Sequence, residues 1–137
     1  MNGEKIMIVD DNEVFLQELG ETLYSCGYDT KTVSHSQDAL KIARRIKPDA
    51  ILLDLRMNGT NGFQVAEELK HTKETAGIPI IAMSGYFPIE NQSNILDMHN
   101  MDARINKPFG ISDLISQIEA VLDGEKKQES AVKEAGR

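Results

Sequence analysis

Short apolar runs and helical stripes alternate along most of the chain. Lys5-Ile6-Met7-Ile8-Val9 is the first run, closed by Asp10-Asp11. Phe15, Leu16, Leu19 and Leu23 then fall at the spacing of one helix face, with Asp11 or Asn12 placed to cap its start and Gly27 to stop it. Residues 28–33 alternate and are rich in β-branched and aromatic types, which predicts a strand near a sheet edge. A second helix is expected from Ser36, with Leu40, Ala43 and Ile46 on one face and Pro48 ending it. Ala50-Ile51-Leu52-Leu53 then runs straight into Asp54, the pattern of a strand buried on both faces as in a parallel sheet. Asn58-Gly59 and Asn61-Gly62 predict a loop, followed by a third helix that turns Phe63, Ala66 and Leu69 inward.

Residues 78–83 form the fourth apolar run, with Pro79 near its start where a missing donor matters least, and lead into Ser84-Gly85. Residues 88–99 are expected to be helical, with a thin apolar face of Ile89, Ile95 and Leu96. A short fifth strand over 102–106 ends at Lys107-Pro108. The clearest helix comes last, with Ile111, Leu114, Ile115, Ile118 and Leu122 on one stripe. The segment 124–137 is polar and mixed in charge, and reads as a linker stub or free end that extends the last helix only a little.

Five strands alternating with five helices make an α/β fold, a doubly wound and mostly parallel sheet, in one domain over 4–123. Right-handed crossovers place every strand's C-terminal end on one edge, where such sheets bind ligands. Asp10, Asp11, Asp54, Ser84 and Lys107 all sit at or just beyond those ends. Singly, each has a plain structural reading. Asp54 can cap a turn, Asp10-Asp11 can favour the positive end of the first helix, and Lys107 can be a surface lysine. Their coincidence at one edge is what points to a site.

Composition narrows the function. With 137 residues, 40% hydrophobic and no Trp, the chain has room for an aliphatic core. A formal net charge of −7 disfavours direct, sequence-independent binding to nucleic acid or to acidic membranes. No apolar run approaches a membrane span, and no signal-peptide core follows Met1. Cys26 is the only cysteine, which excludes a disulfide framework and makes a cytoplasmic location the expectation. His35, His71 and His99 are scattered without metal-binding spacing, and the six Met residues read as core filler.

Three converging carboxylates repel. Two unit charges 4 Å apart cost roughly 4 kcal/mol at an effective dielectric of 20. A hard divalent cation offsets this, and Mg²⁺ suits a site with few carboxylates that leaves room for phosphate oxygens, with Mn²⁺ as the alternative. Lys107 adds a compact positive charge, Ser84 a hydroxyl donor, and Gly85 an accessible backbone N–H. Together these describe phosphoryl transfer to a carboxylate nucleophile.

Val9-Asp10-Asp11, Leu52-Leu53-Asp54-Leu55-Arg56-Met57, Met83-Ser84-Gly85 and Asn106-Lys107-Pro108-Phe109 resemble the motifs of the receiver domain of two-component response regulators. The resemblance covers about residues 4–123, and four motifs in this order are very specific. It implies a flavodoxin-like, chemotaxis-type fold with strand order 2-1-3-4-5. It further implies that Asp54 accepts a phosphoryl group from a phosphohistidine on a histidine kinase or histidine phosphotransfer protein. Asp11, the Asp54 carboxylate and the Arg56 backbone carbonyl would hold Mg²⁺, with Asp10 acting mainly through water. Lys107 would contact the phosphoryl oxygens, Ser84 would move to bond them, and the Lys107-Pro108 peptide would be cis. Gly85, Met57 and Tyr86 flank the site, and bulky Tyr86 and Arg56 are expected to hinder attacking water. The output would pass to a downstream protein target or a fused output domain, and the domain would catalyse only its own phosphorylation and dephosphorylation.

Two departures from the family pattern stand out. Asn58 replaces the proline common after the phosphoacceptor; Asn-Gly still turns, and a looser loop with intact chemistry is expected. Arg104 occupies the position where the family usually has an aromatic switch residue, and Arg cannot bury its charge in the same way. The competing reading is a constitutive receiver-fold interaction module. A phosphatase would want an acid where Asn12 stands, and nucleotide or flavin binding would want a Gly-rich loop in place of Asp10-Asp11-Asn12-Glu13.

Overall fold

The alternation of apolar runs and stripes resolves into strands and helices that pair as the sequence predicts, with differences at several boundaries. The computed structural model describes residues 3–57, 60–85 and 101–135. In chain order the elements are β1 (Lys5–Val9), α1 (Glu13–Ser25), β2 (Asp29–Val33), α2 (Ala39–Ile46) and β3 (Ala50–Asp54). A small antiparallel hairpin of β4 (Arg56–Met57) and β5 (Thr60–Asn61) follows, then α3 (Gly62–Lys70), β6 (Ile80–Ser84), β7 (Ala103–Asn106) and α4 (Ile111–Ala135). The main sheet has the order β2-β1-β3-β6-β7 and every pairing in it is parallel. This is the five-stranded flavodoxin-like order expected. Of the five helices expected, the one over 88–99, with Ile89, Ile95 and Leu96, lies outside the described residues, as do Tyr86, Asn58 and Gly59.

Successive strand residues point to opposite faces, and the core divides accordingly. Ile6, Ile8, Leu52, Ile81 and Met83 pack under α1 and α4, against Leu16, Leu19, Leu23, Leu114, Ile118 and Leu122. Met7, Val9, Ile51, Leu53 and Ile80 pack under α2 and α3, against Ala39, Ala43, Val65, Ala66 and Leu69. Covered on both faces, β3 and β6 are buried at every residue, which is why their sequences are apolar without alternation up to the closing Asp54 and Ser84. At the sheet edge, β2 buries only Val33 fully and keeps its other residues at least partly exposed.

Several boundaries differ from the sequence pattern. The second helix opens as a 3₁₀ turn over Ser36–Asp38 and becomes α-helical at Ala39. It stops before Pro48, at Lys47, whose φ of 50° reverses the chain while its N–H still bonds the Ala43 carbonyl. Asn61-Gly62 is a helix start instead of a loop: the Asn61 side chain accepts the Phe63 N–H at 2.8 Å and Gly62 is the first helical residue. In α3 the buried stripe includes Val65, while Phe63 is only half-buried. Ile111 is exposed at the start of α4, whose buried residues begin at Leu114. The backbone of α4 continues to Ala135, well into the segment expected to extend it only a little.

Candidate functional site

Parallel pairing brings the ends of β1, β3, β6 and β7 level. Val9 pairs with Leu53, Asp54 with Met83, and Ser84 with Asn106. Asp10, Asp54, Ser84 and Lys107 therefore emerge side by side at one edge.

Asp10 continues β1 by one residue, with its N–H bonded to the Val33 carbonyl at 3.1 Å. Its side chain is 1% exposed, yet both oxygens are engaged. Oδ1 accepts the Asn12 N–H at 2.9 Å and Oδ2 accepts the Lys107 ammonium at 2.5 Å. Asn12 in turn caps α1 by accepting the Phe15 N–H at 3.1 Å, so Asn12 takes the role that Asp11 or Asn12 was expected to fill. Asp54 is buried at the end of β3, where its Oδ1 accepts the Arg56 N–H at 3.3 Å and lies 3.8 Å from Lys107 Nζ.

Lys107 starts beyond the last pair of β6 and β7, and its N–H bonds the Ser84 carbonyl at 2.8 Å. The following Lys107-Pro108 peptide is cis, as the resemblance implied. Gly85 leaves room for this arrangement, since a Cβ there would lie 3.1 Å from Lys107 Cβ. The Lys107 ammonium also sits 4.2 Å from the centre of the Phe15 ring, which meets Phe109 edge to face at 6.2 Å.

Burial pushes the Asp54 carboxyl from its ordinary 3.8 up to about 6, with the Asp10 charge the next cause and Asp11 a smaller one. Lys107 and the Arg56 N–H hold it down against these. Asp10, Asp11 and Asp54 each offer an oxygen, and the three lie within 4.8 Å of one another. The Lys107 ammonium reaches two of these three carboxylates, Asp10 and Asp54, and the donors are all hard oxygen. That set fits a small divalent cation and suits neither a soft metal nor a redox cluster.

The other expected positions divide. Met57 buries its side chain in the α2–α3 core and lines a cavity of about 230 Å³ with Asp11, Glu13 and His35. Arg104 lies half-buried opposite Ala82, on β7 but away from the end of the strand. Tyr86 lies outside the described residues. Phe15 was legible only as part of a core stripe, and its contact with Lys107 needs the fold to appear. The one hint in the sequence is its place in the first turn after the acidic pair.

The family profile described as "Response regulator receiver domain" matches residues 6–119. The chain is 34% identical over 122 residues to the phosphate regulon transcriptional regulatory protein PhoB of Pseudomonas aeruginosa, covering 89% of this chain and 53% of that protein. It therefore spans about half of PhoB. It is 29% identical over 119 residues to the polar-differentiation response regulator DivK of Brucella anthropi, covering 87% of this chain and 96% of that one. Among solved structures, the receiver domain of a sensor histidine kinase from Pseudomonas aeruginosa PAO1 superposes with a TM-score of 0.79 at 26% identity, over 88% of this chain and 98% of that one. That structure has a magnesium ion coordinated in its active site cleft.

Proposed function

Because the chain belongs to the response regulator receiver domain family, we propose that it is a phosphoacceptor switch that takes a phosphoryl group onto Asp54. The donor is a phosphohistidine of a histidine kinase or histidine phosphotransfer protein. The observation that carries this reading is the Asp54 carboxylate, buried beside Asp10 with Lys107 Nζ 3.8 Å away, at the edge where the strands end.

In the reaction an Asp54 oxygen attacks phosphorus, a P–O bond forms and the P–N bond to the donor imidazole breaks. The electron pair leaves with the imidazole, which takes a proton from water. An acidity near 6 leaves Asp54 mostly ionised at neutral pH and thus competent as the nucleophile. Lys107 neutralises charge on the phosphoryl oxygens, and the Ser84 hydroxyl bonds one of them after transfer. Asp10, Asp11, the Asp54 carboxylate and the Arg56 carbonyl would hold Mg²⁺, which when bound offsets the negative charge gathered there. The chain performs no chemistry on other molecules beyond this gain and its hydrolytic loss.

Phosphorylation shifts an equilibrium between two surfaces, each tenfold shift needing about 1.4 kcal/mol of differential stabilisation. The recipient is a separate protein or a fused output domain, the latter in keeping with PhoB, of which this chain spans only 53%. Among the described residues no helix is long and apolar enough to cross a membrane, and the cytoplasm is the proposed location. Arg104 favours a second reading, an interaction module indifferent to phosphorylation, because a half-buried guanidinium cannot rotate inward as an aromatic ring does.

Intact mass after incubation with acetyl phosphate separates the two. The expected result is a gain of one phosphoryl group that requires Mg²⁺ and is absent in Asp54→Asn. No gain from either acetyl phosphate or a phosphorylated kinase would leave the interaction module as the function.

A further inference from the structure

Lys107 is held from three sides by groups on three different elements. Asp10 at the end of β1 accepts from it, Asp54 at the end of β3 lies 3.8 Å away, and the Phe15 ring of α1 covers it at 4.2 Å. The ring is itself fixed. Its backbone N–H bonds the Asn12 side chain, its edge meets Phe109 at an interplanar angle of 81°, and its inner side packs on the core under α1 and α4. Lysine is a flexible four-carbon stem, and two carboxylates alone leave its ammonium free to rock between them. An aromatic face placed at this distance attracts the cation and denies that side to water.

We propose that Phe15 is a positioning residue, its ring face holding the Lys107 ammonium over Asp54 for phosphoryl transfer. The role presupposes Asp54 as the phosphoacceptor and adds a specific contribution to that site. When the phosphoryl group arrives it draws Lys107 from Asp10 toward its own oxygens. The ring, lying on neither carboxylate, lets the ammonium make that short move without escaping to solvent. Phe15 acts on the rate of transfer through Lys107 and touches neither donor nor phosphoryl group.

The test is the rate of acetyl phosphate phosphorylation at saturating Mg²⁺, read by intact mass, across a series at position 15. Phe15→Leu keeps the apolar contacts and is expected to slow transfer about 3- to 30-fold, the range of a cation–π contact from exposed to desolvated. Phe15→Tyr restores the rate. Mono-, di- and trifluorination of the Phe15 ring, which drains its face while keeping its shape, lowers the rate stepwise. In a Lys107→Ala background the Phe15→Leu effect disappears. A flat fluorination series, or a Phe15→Leu effect undiminished without Lys107, overturns the positioning role while phosphorylation of the wild type stands. If the wild type takes up no phosphoryl group from either acetyl phosphate or a phosphorylated kinase, the phosphoacceptor reading falls and this role with it. Proton NMR of the Lys107 ε-methylene reads the contact itself: an upfield ring shift, lost in Phe15→Leu, is expected, and its absence overturns the role whatever the chain's phosphorylation.

Discussion

At the scale of the residue, Asp54 carries a conflict between folding and function. Its acidity is weakened in the fold, from 3.8 to about 6, so the folded state binds its proton more tightly than the unfolded chain does. The stability contributed by this group is therefore fully present below about pH 4 and lost as pH rises through about 6. Asp54→Asn removes a charge that burial and Asp10 oppose. Urea unfolding in the presence of a chelator should find the variant more stable than wild type at pH 7.5 by about 1 kcal/mol, after allowance for solvent screening. At pH 4 the difference should vanish. Equal stability at both values would mean the carboxylates are relieved some other way. Residues of this kind were readable one by one, because aspartate after an apolar run is visible without a structure. Their partners were not. That Asp10 pairs with Lys107, or that Phe15 covers it, depends on distances between residues far apart in sequence.

At the scale of the element, the strands were the most legible part. A strand covered on both faces reads as a near-continuous apolar run, and β3 and β6 do so up to their last residues, Asp54 and Ser84. Helix starts and stops were less so, because local chemistry competes with tertiary neighbours. Lys47 takes a left-handed conformation that the sequence offers no glycine to mark. Gly62 reads as a loop residue, but its real constraint is α3 passing close over the end of β3. Its N–H bonds the Leu55 carbonyl at 3.2 Å, and a Cβ there would collide with the Asp54 carbonyl oxygen and the Leu55 Cα. Those are backbone atoms, which cannot swing aside. Gly62→Ala is expected to destabilise by about 2 kcal/mol or more in thermal unfolding, and to disturb the strand end that presents Asp54. A neutral substitution would show that α3 can lift away from β3 at little cost.

At the scale of the whole molecule, two aliphatic cores clamp one sheet, and at its charged edge three carboxylates within 4.8 Å of one another work against that stability. A cation bound to the native cluster but not to the unfolded chain adds stability by mass action, about 2.7 kcal/mol at a hundredfold excess over its dissociation constant. Millimolar Mg²⁺ should therefore raise the melting temperature at pH 7.5, and raise it less at pH 5, where Asp54 keeps its proton. Asp54→Asn should blunt the response. An equal rise at both pH values would place the ion elsewhere.

The contact between Lys107 and Asp10 joins residues 97 positions apart. Asp10 follows the first strand of the chain and Lys107 the last. Contacts between distant parts of a chain are slow to form, since the loop between them must close before they contribute. During refolding the first four-fifths of the chain can assemble much of the apolar sheet while the acidic edge still lacks its ammonium. Full chemical competence thus waits for β7 to join the sheet and bring Lys107 to the edge. A partly folded or truncated copy would carry the aspartates without the lysine that steadies them, and so would take up a phosphoryl group more slowly than the complete sheet does.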